Sequence, residues 1–357
     1  TIPFVKYTHC GNSFVIVDET SQPYIPEHNK VYFAQQASDV AFGIGSDNLL
    51  VIQPFQASVL QNINHAYNYW EKLPTSRNCN YIFRFFDRNE ALTCGNGLLC
   101  ISSYLYKNYG VESTLIMTEV PLAQPKVISI GIQRQTDLCW CNLGYPRRAP
   151  ENVVPSLGIE HYRDYIDIVY NLKIGFRSHD LHSISEDTPL ILSGYLIFTG
   201  EPHMVIFPDE CMPPELANTL FLSPEINQGE KRRSFGSWLI SHIGAYINKH
   251  YQTHFPVGIS VNFARIVTNN TIQYRTYERG NNYETLACGT GAVAVAYVAN
   301  KLQMITDHTA TLLPHRCSWH KPNARLYVEA TNKGWLLLGN PSMLFTGQFI
   351  SNEQTPN

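Results

Sequence analysis

CGNGLLC (Cys94–Cys100) and CGTGAVAVAYVA (Cys288–Ala299) decide the fold. Each is a cysteine, a glycine, a polar residue and a second glycine, followed by a run of small and apolar residues. After Gly97, residues Leu98, Leu99, Ile101, Leu105 and Tyr106 recur at helical spacing, and Gly110 ends the run. The run after Cys288 is Ala- and Val-rich throughout, the pattern of a buried helix. The chain therefore carries the same device twice, a cysteine at the start of a helix.

Outward from these helices the flanks read as strands. FVKYTHCGNSFVIVDE alternates around a Cys-Gly-Asn-Ser turn, Phe42 to Pro54 is a glycine-punctuated turn and a strand, and YIFRFFD leads into Cys94. TLIMTEV and VISIGIQ follow the first helix. VGISVNFARIV and TIQYRTYE precede the second, and ARLYVEA, GWLLLGN and MLFTGQF close the chain as strands. Trp238 to His250 has helical spacing. Tyr145 to Pro189 and Met212 to Arg233 are polar and broken, and read as surface insertions. The order is strands, helix, strands, then strands, helix, strands: an internal repeat of architecture.

The chain has 357 residues, enough for two domains, and its 44% hydrophobic content can supply a sizeable core. A net charge of −3 gives no electrostatic reason to expect nucleic acid or an anionic membrane. No signal-peptide pattern opens the chain, and Leu286 to Ala299 is too short to span a bilayer. A soluble, cytoplasmic protein is expected. The nine cysteines show no framework spacing, so most read as buried thiols with one or two reactive ones.

A helix N-terminus offers free N–H groups and a partial positive charge, which shifts a thiol there toward thiolate and also holds carboxylates. Two such ends could hold one carboxylate between two thiols. One thiolate would take the proton from the adjacent carbon and the opposite thiol would return one to the other face, inverting the centre without pyridoxal or metal. A single Cys-Gly at a helix start is usually only a turn; two copies in matching context carry more weight.

The sequence before each cysteine carries a resemblance. RFFDRNEALTCGNGLLC and YERGNNYETLACGTGA resemble the two signatures of the diaminopimelate epimerase family, and the match runs from about Phe4 to Gln348. The resemblance implies a cofactor-independent amino-acid epimerase or racemase in which Cys94 and Cys288 are the acid–base pair. Gly95 with Asn96, and Gly289 with Thr290, would offer backbone N–H groups to the reacting carboxylate. Asn12 would touch the reacting end, Glu278 would be a catalytic-site carboxylate, Arg279 a substrate-binding arginine and His203 a histidine needed for activity. It implies a small-molecule amino-acid substrate, lysine biosynthesis, and a homodimer, the family's common state. The expected fold is α+β: two pseudo-symmetric domains, each a strand-rich, barrel-like shell around a central helix, with the active site in the cleft between them. The first domain would be 1–120 plus 337–357 and the second 121–336.

The chain departs from the family at the far end of the substrate. Asn48 stands where Gln is usual, Asp87 (or its neighbour Asn89) falls in a shortened loop where Asn is usual, Glu201 replaces the Asn of Gly-Asn-Pro-His, and Ser260 falls on another Asn. Asn can donate to a carboxylate, whereas an ionised Glu or Asp repels it. Diaminopimelate is one expected substrate; a basic amino acid such as lysine, ornithine, arginine or histidine is the alternative. A non-catalytic amino-acid-binding or redox-sensing protein is the rival from another class. His315, Cys317 and His320 fit no zinc spacing and read as a surface turn, so no metal site is expected. Cys139 and Cys141 alternate along a strand and read as packing. GIGSDN lacks the features of a phosphate loop.

Overall fold

The computed structural model describes residues 1–176, 189–222 and 230–350. By internal contacts the chain divides into two compact units, Thr1–Asn142 with Leu338–Asn357, and Leu143–Leu337. Among the described residues there are 19 strands and eight α-helices, a sheet-rich α+β protein.

The first unit runs β1 (Ile2–His9), β2 (Asn12–Asp18), α1 (Lys30–Ser38), β3 (Asn48–Pro54), α2 (Ala57–Tyr67), β4 (Cys79–Asp87), β5 (Asn89–Ala91), α3 (Gly95–Tyr109), β6 (Ser113–Thr118), β7 (Lys126–Gln133) and β8 (Leu138–Asn142). β1 and β2 are antiparallel, joined by a two-residue turn at Cys10 and Gly11 with φ of 49° and 84°, the positive values a tight hairpin needs. β2 pairs parallel with β3, β3 antiparallel with β4, β4 antiparallel with β5 and parallel with β6, β6 antiparallel with β7, and β7 with β8. β7 and β8 follow residue 120 in the chain, yet their ladder to β6 and their packing on α3 place them in this first unit.

The second unit runs β9 (Glu160–Arg163), β10 (Ile166–Ile174), β11 (Leu190–Phe198), β12 (Pro202–Ile206), α4 (Pro208–Cys211), α5 (Pro214–Leu220), α6 (Glu230–His250), β13 (Ser260–Thr268), β14 (Thr271–Glu278), β15 (Tyr283–Thr285), α7 (Gly289–Lys301), β16 (Thr309–Pro314), α8 (His315–Ser318), β17 (Leu326–Thr331) and β18 (Gly334–Gly339). β11 and β12 are antiparallel, β12 and β13 parallel, β13 and β14 antiparallel, β14 antiparallel with β15 and parallel with β16, and β16 antiparallel with β17. The succession of pairings from β1 to β7 recurs from β11 to β17. The last strand, β19 (Ser342–Phe349), belongs to the first unit and pairs antiparallel with β1.

α3 and α7 are the best-buried helices. Gly95 to Leu105 and Gly289 to Ala299 are buried without interruption. α7 packs on β11, β12, β13, β14, β16 and β17, and α3 on β1, β2, β7 and β8. Val293, Val295 and Val298 are β-branched and poor helix formers, so α7 is held by this packing and not by propensity. Each buried Val contributes about 1.5–3 kcal/mol relative to exposure.

Three expectations are corrected. Tyr145 to Pro189 is not all insertion: β9 and β10 lie in it, and Ile166, Ile168, Val169, Leu172 and Ile174 are buried. The strand pattern is masked by a bulge, since the register with β11 shifts between Val169 and Leu172, where Asn171 has φ of 57°. Met212 to Arg233 contains α5, which buries Ala217 and Leu220, and the start of α6. Residues 177–188 and 223–229 of these stretches lie outside the described residues. His315 and Cys317 are 4% and 2% exposed in α8, not a surface turn. Cys139 and Cys141, read as packing, are buried.

Candidate active site

The cysteine-bearing turns are built alike in the two units. Arg84 on β4 is fully buried and grips Glu90 on β5 through two hydrogen bonds, Nε to Oε1 and Nη2 to Oε2, the latter 2.7 Å. Arg275 on β14 is fully buried and grips Glu284 on β15 at 2.5 and 2.7 Å. Each paired fork ties a strand to the three-residue strand that returns beside it, so the chain reaches the cysteine on a fixed path. In sequence the repeat is Arg84, Asp87, Arg88, Glu90, Leu92, Cys94 against Arg275, Glu278, Arg279, Glu284, Leu286, Cys288. This repeat is longer than the cysteine-glycine device that opens each helix.

In the first unit Cys94 is the N-cap of α3, in extended backbone (φ −144°), and its carbonyl accepts from Leu98 N at 2.9 Å. Its thiol donates to Asn12 Oδ1 at 3.6 Å. Asn12 Nδ2 donates to Asp47 Oδ2 at 3.3 Å and to Asn48 Oδ1 at 3.5 Å, so Asn12 and Asn48 sit at the starts of two paired strands beside Cys94. Gly95 and Asn96 form the first turn of α3, where helix geometry leaves N–H groups over. The Asn96 side chain is turned inward, its Oδ1 2.9 Å from Nδ1 of the buried His9. Sequence reasoning did not single out His9; its place in the THCGN turn was the only available signal. Asp87 is exposed at the end of β4, with its carboxyl raised chiefly by burial of the group's surroundings and by Asp47, against the pull of Arg88. Asn89, the alternative to Asp87, is exposed on β5.

In the second unit Cys288 is the N-cap of α7, and its sulfur accepts from Gly291 N at 3.4 Å. A thiolate-ward shift was expected at this helix end; the finding is opposite. Burial, followed by the charge of Glu278, pushes the Cys288 thiol well above its ordinary range, so at neutral pH it rests protonated. The helix-end effect is smaller than the cost of stripping water from a thiolate. Glu278, at the end of β14, is near enough to Cys288 for its charge to act on the thiol, and it accepts from Asn281 Nδ2 at 2.6 Å. Burial raises its carboxyl to about 7.

Thr290 Oγ1 lies 3.5 Å from Cys288 Sγ and 3.0 Å from His203 Nε2. His203 on β12 is fully buried, and burial with the nearby Arg279 lowers it to about 3, leaving it neutral. Ser260 Oγ accepts from the Arg279 backbone N–H at 3.0 Å, so it serves the backbone of the arginine. The Arg279 guanidinium donates to Val257 O at 3.2 Å and lies 3.6 Å from Glu201 Oε1. Glu201 sits in the β11–β12 turn, its carboxyl raised by burial against the pull of Arg279. Cys288, Glu278, Thr290, His203, Glu201, Arg279 and Ser260 are thus one connected group, with Gly289 beside it in the first turn of α7.

No family model matches the chain. Curated sequences do. The diaminopimelate epimerase of Archaeoglobus fulgidus is 27% identical over 357 residues, covering 99% of this chain and 98% of its own length. That of Methanocella arvoryzae is 29% identical over 309 residues, covering 86% and 85%. Among solved structures, a hydroxyproline epimerase from Agrobacterium vitis with bound trans-4-hydroxy-L-proline matches with a TM-score of 0.55 at 10% identity, covering 97% of this chain and 91% of that one. A proline racemase from Agrobacterium radiobacter, so described as probable, matches at 0.55 and 10% identity, covering 100% and 95%. At such identity these structures speak to fold alone. Over nearly its whole length the chain is similar in sequence to diaminopimelate epimerases, on a fold shared with racemase and epimerase structures.

Proposed function

We propose that this protein is a cofactor-independent amino-acid epimerase in which the Cys94 and Cys288 thiols exchange protons with the two faces of one α-carbon. The observation that carries the reading is the Cys288 group. A buried thiol at a helix N-terminus accepts from Gly291 N at 3.4 Å, lies 3.5 Å from Thr290 Oγ1, and has beside it the Glu278 carboxyl, which burial raises to about 7. Raised to about 7, the Glu278 carboxylate is a better acceptor for the thiol proton than an ordinary carboxylate, although the transfer runs uphill because the Cys288 thiol is held well above its ordinary range. When Glu278 takes that proton, Cys288 becomes the base for one face of the carbon. The Cys94 thiol then protonates the other face, and the roles exchange in the reverse direction. The carbanion formed beside the substrate carboxylate draws on N–H groups of Gly95 with Asn96 and of Gly289 with Thr290, aimed where negative charge develops.

LL-diaminopimelate is the first substrate to test, because the curated relatives are named for it. A second reading has its own observation. Arg279 is engaged by Glu201 at 3.6 Å, and a paired guanidinium is a poorer seat for a distal carboxylate while the Glu201 carboxylate favours an amine. A basic amino acid is therefore the alternative substrate.

Proton NMR in D2O under reducing conditions tests both. The expected result is loss of the α-proton signal of LL-diaminopimelate, abolished in Cys94→Ala and in Cys288→Ala. Loss on lysine, ornithine, arginine or histidine in place of diaminopimelate selects the second reading. Tight binding without α-proton exchange on any of them overturns the enzyme reading in favour of an amino-acid-binding protein.

A further inference from the structure

Asn262 is fully buried on β13, two residues beyond Ser260 and so on the same face of the strand. Its side chain makes three hydrogen bonds. Oδ1 accepts from Thr276 Oγ1 at 2.9 Å, and Nδ2 lies 3.1 Å from Met204 O and 3.1 Å from His203 Nδ1. The carbonyl of Met204 can only accept, so the amide nitrogen must face it, and the same nitrogen then presents its other hydrogen to His203. A neutral imidazole that accepts at Nδ1 carries its proton on Nε2. His203 Nε2–H must therefore donate to Thr290 Oγ1 at 3.0 Å. The hydroxyl hydrogen of Thr290 is left for Cys288 Sγ at 3.5 Å. Asn262 also reaches under the cysteine turn: a Cβ at Gly291 would meet Asn262 Oδ1 at 2.5 Å and Cys288 Sγ at 3.3 Å, so glycine is required where Gly291 N donates to the sulfur.

We infer that Asn262, His203 and Thr290 form a one-way hydrogen-bond relay that aims a hydroxyl donor at the Cys288 sulfur, with Asn262 and His203 as positioning residues that set the direction. A thiolate can only accept, and a donor of fixed direction stabilises it without waiting for a rotor to turn. His203 then acts through Thr290 and needs no contact with substrate. The titratable and charged groups around Cys288 are Glu278 on β14 and His203 on β12, with Glu201 and Arg279 beyond them. The inference deepens the epimerase reading and rests on it, but its test reads the thiol and not turnover.

In a Cys94→Ala background, alkylation of Cys288 by iodoacetamide is followed by peptide mass spectrometry across pH 7.5 to 10. Losing one hydrogen bond to a charged acceptor lowers the thiolate fraction about tenfold. Thr290→Val and Asn262→Ala should each slow alkylation at fixed pH by that factor, and Thr290→Ser should restore it. Separately, 15N-labelled histidine in the unsubstituted protein should show His203 in the Nε2–H form. Parental alkylation rates in Thr290→Val overturn the relay, and parental rates in a folded Asn262→Ala overturn the role of Asn262. If Asn262→Ala does not fold, the NMR spectrum decides: an Nδ1–H tautomer overturns the proposal. Failure of α-proton exchange with these thiol results intact would strike the epimerase reading and leave the relay standing.

Discussion

At the scale of single residues, Glu278 is the group whose behaviour is most open to test. Burial holds its carboxyl at about 7, above the ordinary 4.5, so the folded state keeps the proton more tightly than the unfolded chain does. That contribution is fully present below about pH 4.5 and is lost as pH rises through about 7. Glu278→Gln removes it. The variant should therefore gain in melting temperature relative to the parent between pH 5 and pH 8, which differential scanning calorimetry at the two pH values checks. In catalysis the sign is opposite. Below about pH 7 the carboxyl is protonated and cannot take the Cys288 proton, so turnover that uses Cys288 as base should fall on the acid side of that value. A pH–rate profile for each reaction direction measures this, and Glu278→Gln should lose the limb. Cys94, Cys288 and Glu278 were legible from the motif. The raised Cys288 thiol was not, because burial is a property of what folds over a residue.

Among elements, the two Arg–Glu forks matter most. Arg84 with Glu90 and Arg275 with Glu284 are buried pairs that fasten β4 to β5 and β14 to β15. Removing one partner of a buried pair leaves an uncompensated charge at a cost of about 3–5 kcal/mol. Glu284→Ala should lower stability by about that amount in urea denaturation. Glu112→Ala, which breaks the solvent-exposed pair with Arg134, should leave the midpoint unchanged. The strands and the two central helices were readable because their hydrophobic period is regular. β10 was not, since a bulge at Asn171 breaks the alternation, and α5 was not, since a seven-residue helix burying Ala217 and Leu220 gives too short a pattern.

For the whole molecule, the two compact units have separate consequences for truncation. β19 is remote in sequence from the first unit yet pairs along β1 from Ile2–Phe349 to Thr8–Ser342. Deleting residues 338–357 should expose that edge and the buried Ile2 and Phe4, and strip backbone protection first from β1. Hydrogen exchange read by mass spectrometry should show the fastest gain of deuterium there. Among the described residues no helix is long and apolar enough to cross a membrane.

The sequence by itself determined the two cysteine-headed helices, most of the strands, and the resemblance to an epimerase family. Those follow from local pattern: periodicity, glycine punctuation and the spacing of residues around each cysteine. Tertiary structure alone decided that β7 and β8 complete the first unit, that Glu201 lies 3.6 Å from Arg279, and that the Asn262 amide faces Nδ1 of His203. Each of these depends on strands that pair across long stretches of chain, and a buried polar group finds its partner only once those strands have brought it there.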